Sequence, residues 1–150
     1  MKNVIVLRPA TAEDERFAND LLFTTMCDYV EATWPNNPAA QRHYYEINKF
    51  TPSNTRILQV DGKDIGRLST TVRADCIFID ELHILPEYQR RGIGKQAIEQ
   101  VFREAQRKSL PVKATVLKVN HPSLKLCLSM GFEVVAEKDH RLQIQYLSGR

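Results

Sequence analysis

The stretch that decides the reading is Leu82-His83-Ile84-Leu85-Pro86-Glu87-Tyr88-Gln89-Arg90-Arg91-Gly92-Ile93-Gly94-Lys95. It opens as an apolar strand, is broken by Pro86, passes two adjacent arginines and two closely spaced glycines, and continues as a helix. Glycine lets a backbone approach a ligand closely, and the unpaired N–H groups of a helix start attract anions. Arg90, Arg91 and Lys95 add positive charge where those groups point. These features make a phosphate cradle, and the rest of the chain must say which phosphate it takes.

Two familiar cradles do not fit. Gly92-Ile93-Gly94-Lys95-Gln96-Ala97 matches the dinucleotide pattern G-x-G-x-x-G/A only superficially. That pattern needs its glycines directly after a strand and an acid about 20 residues on. Here residues 86–91 intervene, and the next strand runs out at Val119-Asn120 without an acid. A nucleoside-triphosphate loop is excluded because Gly94-Lys95 is followed by Gln96 rather than Ser or Thr.

Upstream, residues 3–7 are an apolar run ending at Arg8-Pro9 and read as a first strand. Thr11 with Asp14 is a capping-box-like helix start. Phe17, Ala18, Leu21, Leu22, Met26, Tyr29 and Val30 follow at helical spacing. That helix must stop before Trp34-Pro35-Asn36-Asn37-Pro38, and Asn37-Pro38 can open a second one ending near Phe50. Residues 56–60 are a strand, Asp61-Gly62 a hairpin turn, and 65–72 its partner. Residues 76–85 are dense in Ile, Leu and Phe and read as a central strand.

Downstream of the glycines, Ile93, Ala97, Ile98, Val101, Phe102 and Ala105 form a helical stripe ending in Arg107-Lys108. Residues 112–119 are a fifth strand, so strand, helix and strand make a right-handed parallel crossover. Asn120 can cap a short helix over 122–130, which Gly131 ends, and 132–136 and 142–147 are two more strands. The order describes a single α+β domain over 1–150, on one mixed, mostly antiparallel sheet with a central βαβ crossover and flanking helices.

Composition bounds the partners. The 150 residues are 43% hydrophobic and 26% charged, ordinary for a globular chain. No apolar run is long enough to span a membrane, and the N-terminus lacks signal-peptide features, so a cytoplasmic protein without a membrane partner is expected. A net charge of +3 with interleaved acids argues against nucleic acid. Cys27, Cys76 and Cys127 are neither a disulfide framework nor, with the four histidines, a metal site.

Gln89-Arg90-Arg91-Gly92-Ile93-Gly94 resembles the acyl-CoA signature Q/R-x-x-G-x-G/A of the GNAT family of N-acetyltransferases. Asn120-His121-Pro122-Ser123-Leu124-Lys125-Leu126-Cys127-Leu128-Ser129-Met130-Gly131-Phe132 resembles its second signature, N-x-x-A-x-x-L-Y-x-x-x-G-F. Spacing and element order also match, so the resemblance spans nearly the whole chain. It implies acetyl-CoA as donor and no metal. The amides from Gln89 through Arg90, Arg91, Gly92, Ile93 and Gly94 to Lys95 would hold the pyrophosphate. The main chain of Leu82, His83 and Ile84 would pair with the pantetheine arm like an added strand, where in the family strands four and five splay apart, often at a bulge. Asn120 would contact the pantetheine, cap the following helix, or both.

The resemblance also implies direct transfer in a ternary complex, which needs a neutral amine, a polarised thioester carbonyl and a proton for the leaving thiolate. Glu81 lies just before the cofactor segment and is the candidate base, placed by strict alternation on one strand face with Ile79 and His83. His83 can assist it or serve only the sheet. Where the family has a proton-donating tyrosine, this chain has Cys127, which either returns the proton or fills core space.

For the acceptor, Tyr29, Glu31, Trp34, Tyr44, Tyr45 and Glu46 offer aromatics and acids that can hold a cationic amine. Tyr29 and Trp34 are the acceptor candidates, with core packing as their alternative role. A small amine and a protein amine are equally open. A non-catalytic acyl-CoA sensor is the alternative class, and pairing of the C-terminal edge strands into a homodimer is an expectation from the family.

Overall fold

The computed structural model describes residues 3–147. Its strands are β1 (Val6–Pro9), β2 (Thr55–Val60), β3 (Lys63–Val72), β4 (Ile77–Ile84), β5 (Val112–Leu117), β6 (Glu133–Lys138) and β7 (Arg141–Tyr146). Its helices are α1 (Glu15–Thr33), α2 (Pro38–Ile47), α3 (Ile93–Lys108) and α4 (His121–Ser129). The strands form one sheet in the order β1-β2-β3-β4-β5-β7-β6. Among the described residues only β4 and β5 pair parallel, so the sheet is mixed and mostly antiparallel in an α+β chain, as expected.

The hydrophobic pattern sorts side chains to two faces. Successive residues of a strand point oppositely, and in β5 Val116 joins the core beneath α3 while Leu117 joins Leu22, Val30 and Tyr44 beneath α1 and α2. The α3 stripe of Ile93, Ala97, Ile98, Val101 and Ala105 is buried throughout. On the same side Cys127 of α4 packs with Phe132.

Several boundaries move for identifiable reasons. The first strand begins at Val6 rather than residue 3, because Gln96 of α3 takes over the preceding backbone. Its Oε1 accepts the Ile5 N–H at 3.1 Å and its Nε2 donates to the Asn3 carbonyl. The expected capping box at Thr11 and Asp14 is present, but it opens a 3₁₀ turn, Ala12–Asp14, that precedes α1. Asp14 is locked there by Arg8 at 2.8 Å. Asn37 caps α2 by accepting the Ala40 N–H at 3.1 Å.

β4 departs most from the sequence reading. Its register with β3 runs Ser69↔Glu81 and then Thr70↔Ile79, so Asp80 is the extra residue of a bulge. The bulge breaks the alternation assumed from sequence. Ile77 and Ile79 pack with the α3 core, and beyond the bulge so do Leu82 and Ile84. Glu81 is therefore not on the face of Ile79. It points with His83 toward α1 and α2.

Candidate functional site: a split between two strands

Parallel pairing of β4 with β5 covers Ile77↔Val112, Phe78↔Lys113 and Ile79↔Ala114, and stops there. The bulge at Asp80 turns β4 away, so the β5-side edge of Leu82, His83 and Ile84 has no strand partner. Their other edge is taken by β3, with Ile84 opposite Gly66. A side chain at Gly66 would place its Cβ 2.6 Å from the His83 carbonyl, so this close approach requires glycine.

Beyond β4, Pro86–Tyr88 form a 3₁₀ turn and the chain swings into α3. Arg90 and Gly92 adopt left-handed backbone conformations, φ 63° and 78°, which set the angle of the helix start. The first intrahelical bond runs from the Gln96 N–H to the Gly92 carbonyl at 3.1 Å. The N–H groups of Ile93, Gly94 and Lys95 therefore have no partner within the helix. A Cβ at Gly94 would lie 3.2 Å from Leu126 Cδ2 and 3.5 Å from Ile84 Cδ1, so the missing side chain leaves the floor of the cradle open. These residues fit a pyrophosphate followed by an extended amide arm.

One cavity of about 1260 Å³ joins this cradle to the space below α1 and α2. Of the residues expected to hold the cofactor, Leu82, His83, Ile84, Gln89, Arg90, Gly92, Ile93, Gly94, Lys95 and Asn120 line it. Arg91 does not: its guanidinium lies over the Tyr88 ring, 5.1 Å from the centroid. The Asn120 side chain accepts the Ser123 N–H at 3.3 Å and so caps α4.

At the inner end Glu81 is only 9% exposed. Arg67 of β3, 1% exposed, puts a terminal nitrogen 3.6 Å from one carboxyl oxygen, and His83 Nε2 lies 3.5 Å from the other. The remaining Arg67 contacts are backbone carbonyls, Asn48 at 3.2 Å and Ala18 at 3.5 Å. Burial pushes the Glu81 carboxyl up to about 8, with Arg67 pulling down and Asp80 pushing further up. Burial, reinforced by Arg67, drives His83 down to about 3, so its imidazole is neutral at any ordinary pH. Burial also lowers the Arg67 guanidinium, with Glu81 opposing, but an arginine keeps its proton. The site thus pairs a fixed buried cation with a carboxyl poised near neutrality.

Cys127 reaches the cavity wall, and burial raises its thiol to about 11 against a hydrogen bond with Ser123. Tyr29 lines the inner end, whereas Trp34 stands behind the wall against Tyr44. Glu31 and Glu46 are off the wall, and Glu31 accepts a hydrogen bond from Gln41 at 3.0 Å. The sequence reading missed Arg67. Its signal was a lone charge within the run Ile65-Gly66-Arg67-Leu68, where solvated strand residues would alternate.

A family model described as the acetyltransferase (GNAT) family matches residues 20–132. Among solved structures, the chain is similar to a PaiA N-acetyltransferase from Thermoplasma acidophilum in complex with coenzyme A. That pair has a TM-score of 0.71 and 18% identity over 96% of this chain and 99% of that one. It is similar to an N-acetylglutamate synthase from Neisseria gonorrhoeae complexed with coenzyme A and N-acetyl-glutamate (TM-score 0.70, 17% identity), over 100% of this chain and 36% of that one. It is also similar to the ribosomal-protein-S18-alanine N-acetyltransferase of Escherichia coli, with TM-score 0.61 and 18% identity over 96% and 93%. At these identities the structural likeness is one of fold. No curated protein matches the sequence. The matched residues run from α1 through the split strands to the end of α4, and they make this chain a member of the GNAT acetyltransferase family.

Proposed function

We propose that the protein transfers the acetyl group of acetyl-CoA to a primary amine, directly and within one ternary complex. The observation that carries this is the termination of β4–β5 pairing at Ile79↔Ala114. It leaves an unpaired strand edge leading from an anion-binding helix start to a buried carboxyl. The backbone of Leu82 to Ile84 would receive the pantetheine amides as an added strand does. The amides of Ile93, Gly94 and Lys95, with the Arg90 and Lys95 side chains, would hold the pyrophosphate. When bound, the donor supplies an electrophilic acyl carbon and a good thiolate leaving group.

Glu81 takes the proton from the attacking amine, directly or through a water. With the carboxyl near 8, about a tenth of it is ionised at pH 7. The transferred proton then returns to the leaving thiolate by way of solvent. His83 holds its place in β4 as a neutral imidazole and relays no proton. Two of the similar structures are N-acetyltransferases by name, which supports an amine as acceptor.

Thermal unfolding with saturating acetyl-CoA tests the donor. At 100 times the dissociation constant the ligand adds about 2.7 kcal/mol. Thiol release across a panel of amines tests the transfer. A chain stabilised by neither acetyl-CoA nor CoA does not have this function.

A further inference from the structure

The inner end of the cavity is more cationic than an amine site requires. Lys49, Arg67 and Arg141 line it, and its carboxyls are Asp80 and Glu81. Asp80 accepts a 2.6 Å hydrogen bond from Thr71, and Glu81 faces the buried Arg67. The acids that the sequence offered for a cationic acceptor, Glu31 and Glu46, are elsewhere. The Trp34 ring, one of the aromatics offered for it, is taken as well, because the Arg141 guanidinium lies over it at 5.5 Å from the centroid. A polyamine would bring its second charge against the like charges of Lys49, Arg67 and Arg141.

Arg141 differs from the other cations of the wall. Among the described residues no carboxylate lies within ion-pair distance of it, and its side chain has no hydrogen bond to them. Its cation–π contact with Trp34 leaves its N–H groups without a carboxylate or carbonyl acceptor among the described residues, and Arg141 lines the cavity. Trp34 itself packs against His140, ring centroids 5.6 Å apart and nearly perpendicular, and against Tyr44 at 5.9 Å. An arginine set over an aromatic ring with its N–H groups unpaired offers a fork for a carboxylate. Arg141 shares the wall of one cavity with the base Glu81, with Arg67 and with Tyr44. The charges of Glu81, Arg141 and Arg67 all act on the buried Tyr44 phenol.

We infer that the acceptor is a small amine carrying a carboxylate, the chemistry of an amino acid, and that the Arg141 fork anchors that carboxylate while the amine faces Glu81. The inference rests on the acetyl-transfer reading above and narrows its acceptor. Trp34, off the cavity wall, is the ring over which the Arg141 guanidinium sits.

The test compares kcat/KM, by thiol release from acetyl-CoA, for amino acids, their carboxamides and their decarboxylated amines, corrected for the neutral fraction of each amine. The expected result is a preference for the carboxylate of about tenfold to a hundredfold, carried mainly by KM. Arg141→Gln collapses that preference to near one, and Arg141→Lys restores part of it. Retained thermal stabilisation of Arg141→Gln by acetyl-CoA shows that the variant is folded. Equal rates for acid and amide, a preference for polyamines, or a preference that survives Arg141→Gln would each overturn the inference while leaving acetyl transfer standing. A chain that acetylates none of these amines overturns the transfer reading and this one with it.

Discussion

The two ends of the cavity are built from different material. The outer end is backbone: an open strand edge at Leu82 to Ile84, a left-handed Gly92, and the unpaired amides of Ile93, Gly94 and Lys95. The inner end is side chain: Glu81, Arg67, Tyr44 and Arg141, brought from β4, β3, α2 and β7. Backbone sites depend on local conformation and tolerate changes in side chains that do not alter it. Side-chain sites depend on the packing of distant segments, and a single substitution resets their electrostatics. Damage at the two ends should therefore differ in kind.

Glu81→Gln should show the largest effect. Removing a general base costs about a hundredfold to ten-thousandfold in kcat, while binding of acetyl-CoA at the other end stays as it was. The wild-type rate should climb with pH and show an inflection near 8, where the carboxyl ionises, besides that of the amine. Glu81→Gln should lose that inflection and keep only the ionisation of the amine. Stopped-time thiol release between pH 6 and 10 measures both, and a variant with the wild-type rate throughout would remove Glu81 from the mechanism.

The same carboxyl links folding to pH. Its folded-state value is raised from 4.5 to about 8, so between those limits the folded chain binds more protons than the unfolded one. This contribution to stability is full below about 4.5 and is lost as pH rises toward about 8. Denaturant unfolding from pH 5 to 8.5 should show a downward slope that Glu81→Gln flattens. An unchanged slope in the variant would mean that Arg67 keeps Glu81 ionised.

At the outer end, two glycines two residues apart should fail differently. Gly94→Val places its side chain against Leu126 and Ile84, within 3.2 and 3.5 Å from Cβ onward, and fills the cradle. It should lose most of the stabilisation of about 2.7 kcal/mol that saturating acetyl-CoA confers. Gly92→Ala meets nothing within 4 Å, but its φ of 78° is strained for any side chain, at about 1–2 kcal/mol. It should lower stability and still respond to acetyl-CoA. Equal losses of ligand response would show that helix-start conformation, rather than open space, governs the site.

This division also explains what the sequence revealed. The outer end was legible because its determinants are contiguous: Gln89 to Lys95 is one stretch, and Asn120 to Phe132 another. The element order was legible from periodicity, with ends displaced where a distant group intervened, as Gln96 does at Ile5. The inner end was legible only in part, at Glu81, Cys127 and the aromatics Tyr29 and Tyr44. Arg67 and Arg141 acquire meaning from partners 14 and 107 positions away, Glu81 and Trp34, which no local pattern connects. The face of Glu81 was misjudged because the bulge at Asp80 leaves no mark that alternation can read.

Cys127 should show the smallest catalytic effect, although it sits on the wall where the family pattern has a proton donor. Proton donation to the leaving thiolate becomes costlier the further the donor's value lies above that of the thiol being formed. Burial holds the Cys127 thiol near 11, whereas an ordinary thiol has a value of about 8.5. Donation would then run uphill by about 3 kcal/mol, whereas the proton that Glu81 has taken up, on a carboxyl near 8, meets no such step. Cys127→Ala should keep kcat within a factor of about three, and lose on the order of 1 kcal/mol of stability from the small void left in the core. A hundredfold fall in kcat, with stability unchanged, would return Cys127 to the chemistry and make the inner wall a two-residue acid–base pair.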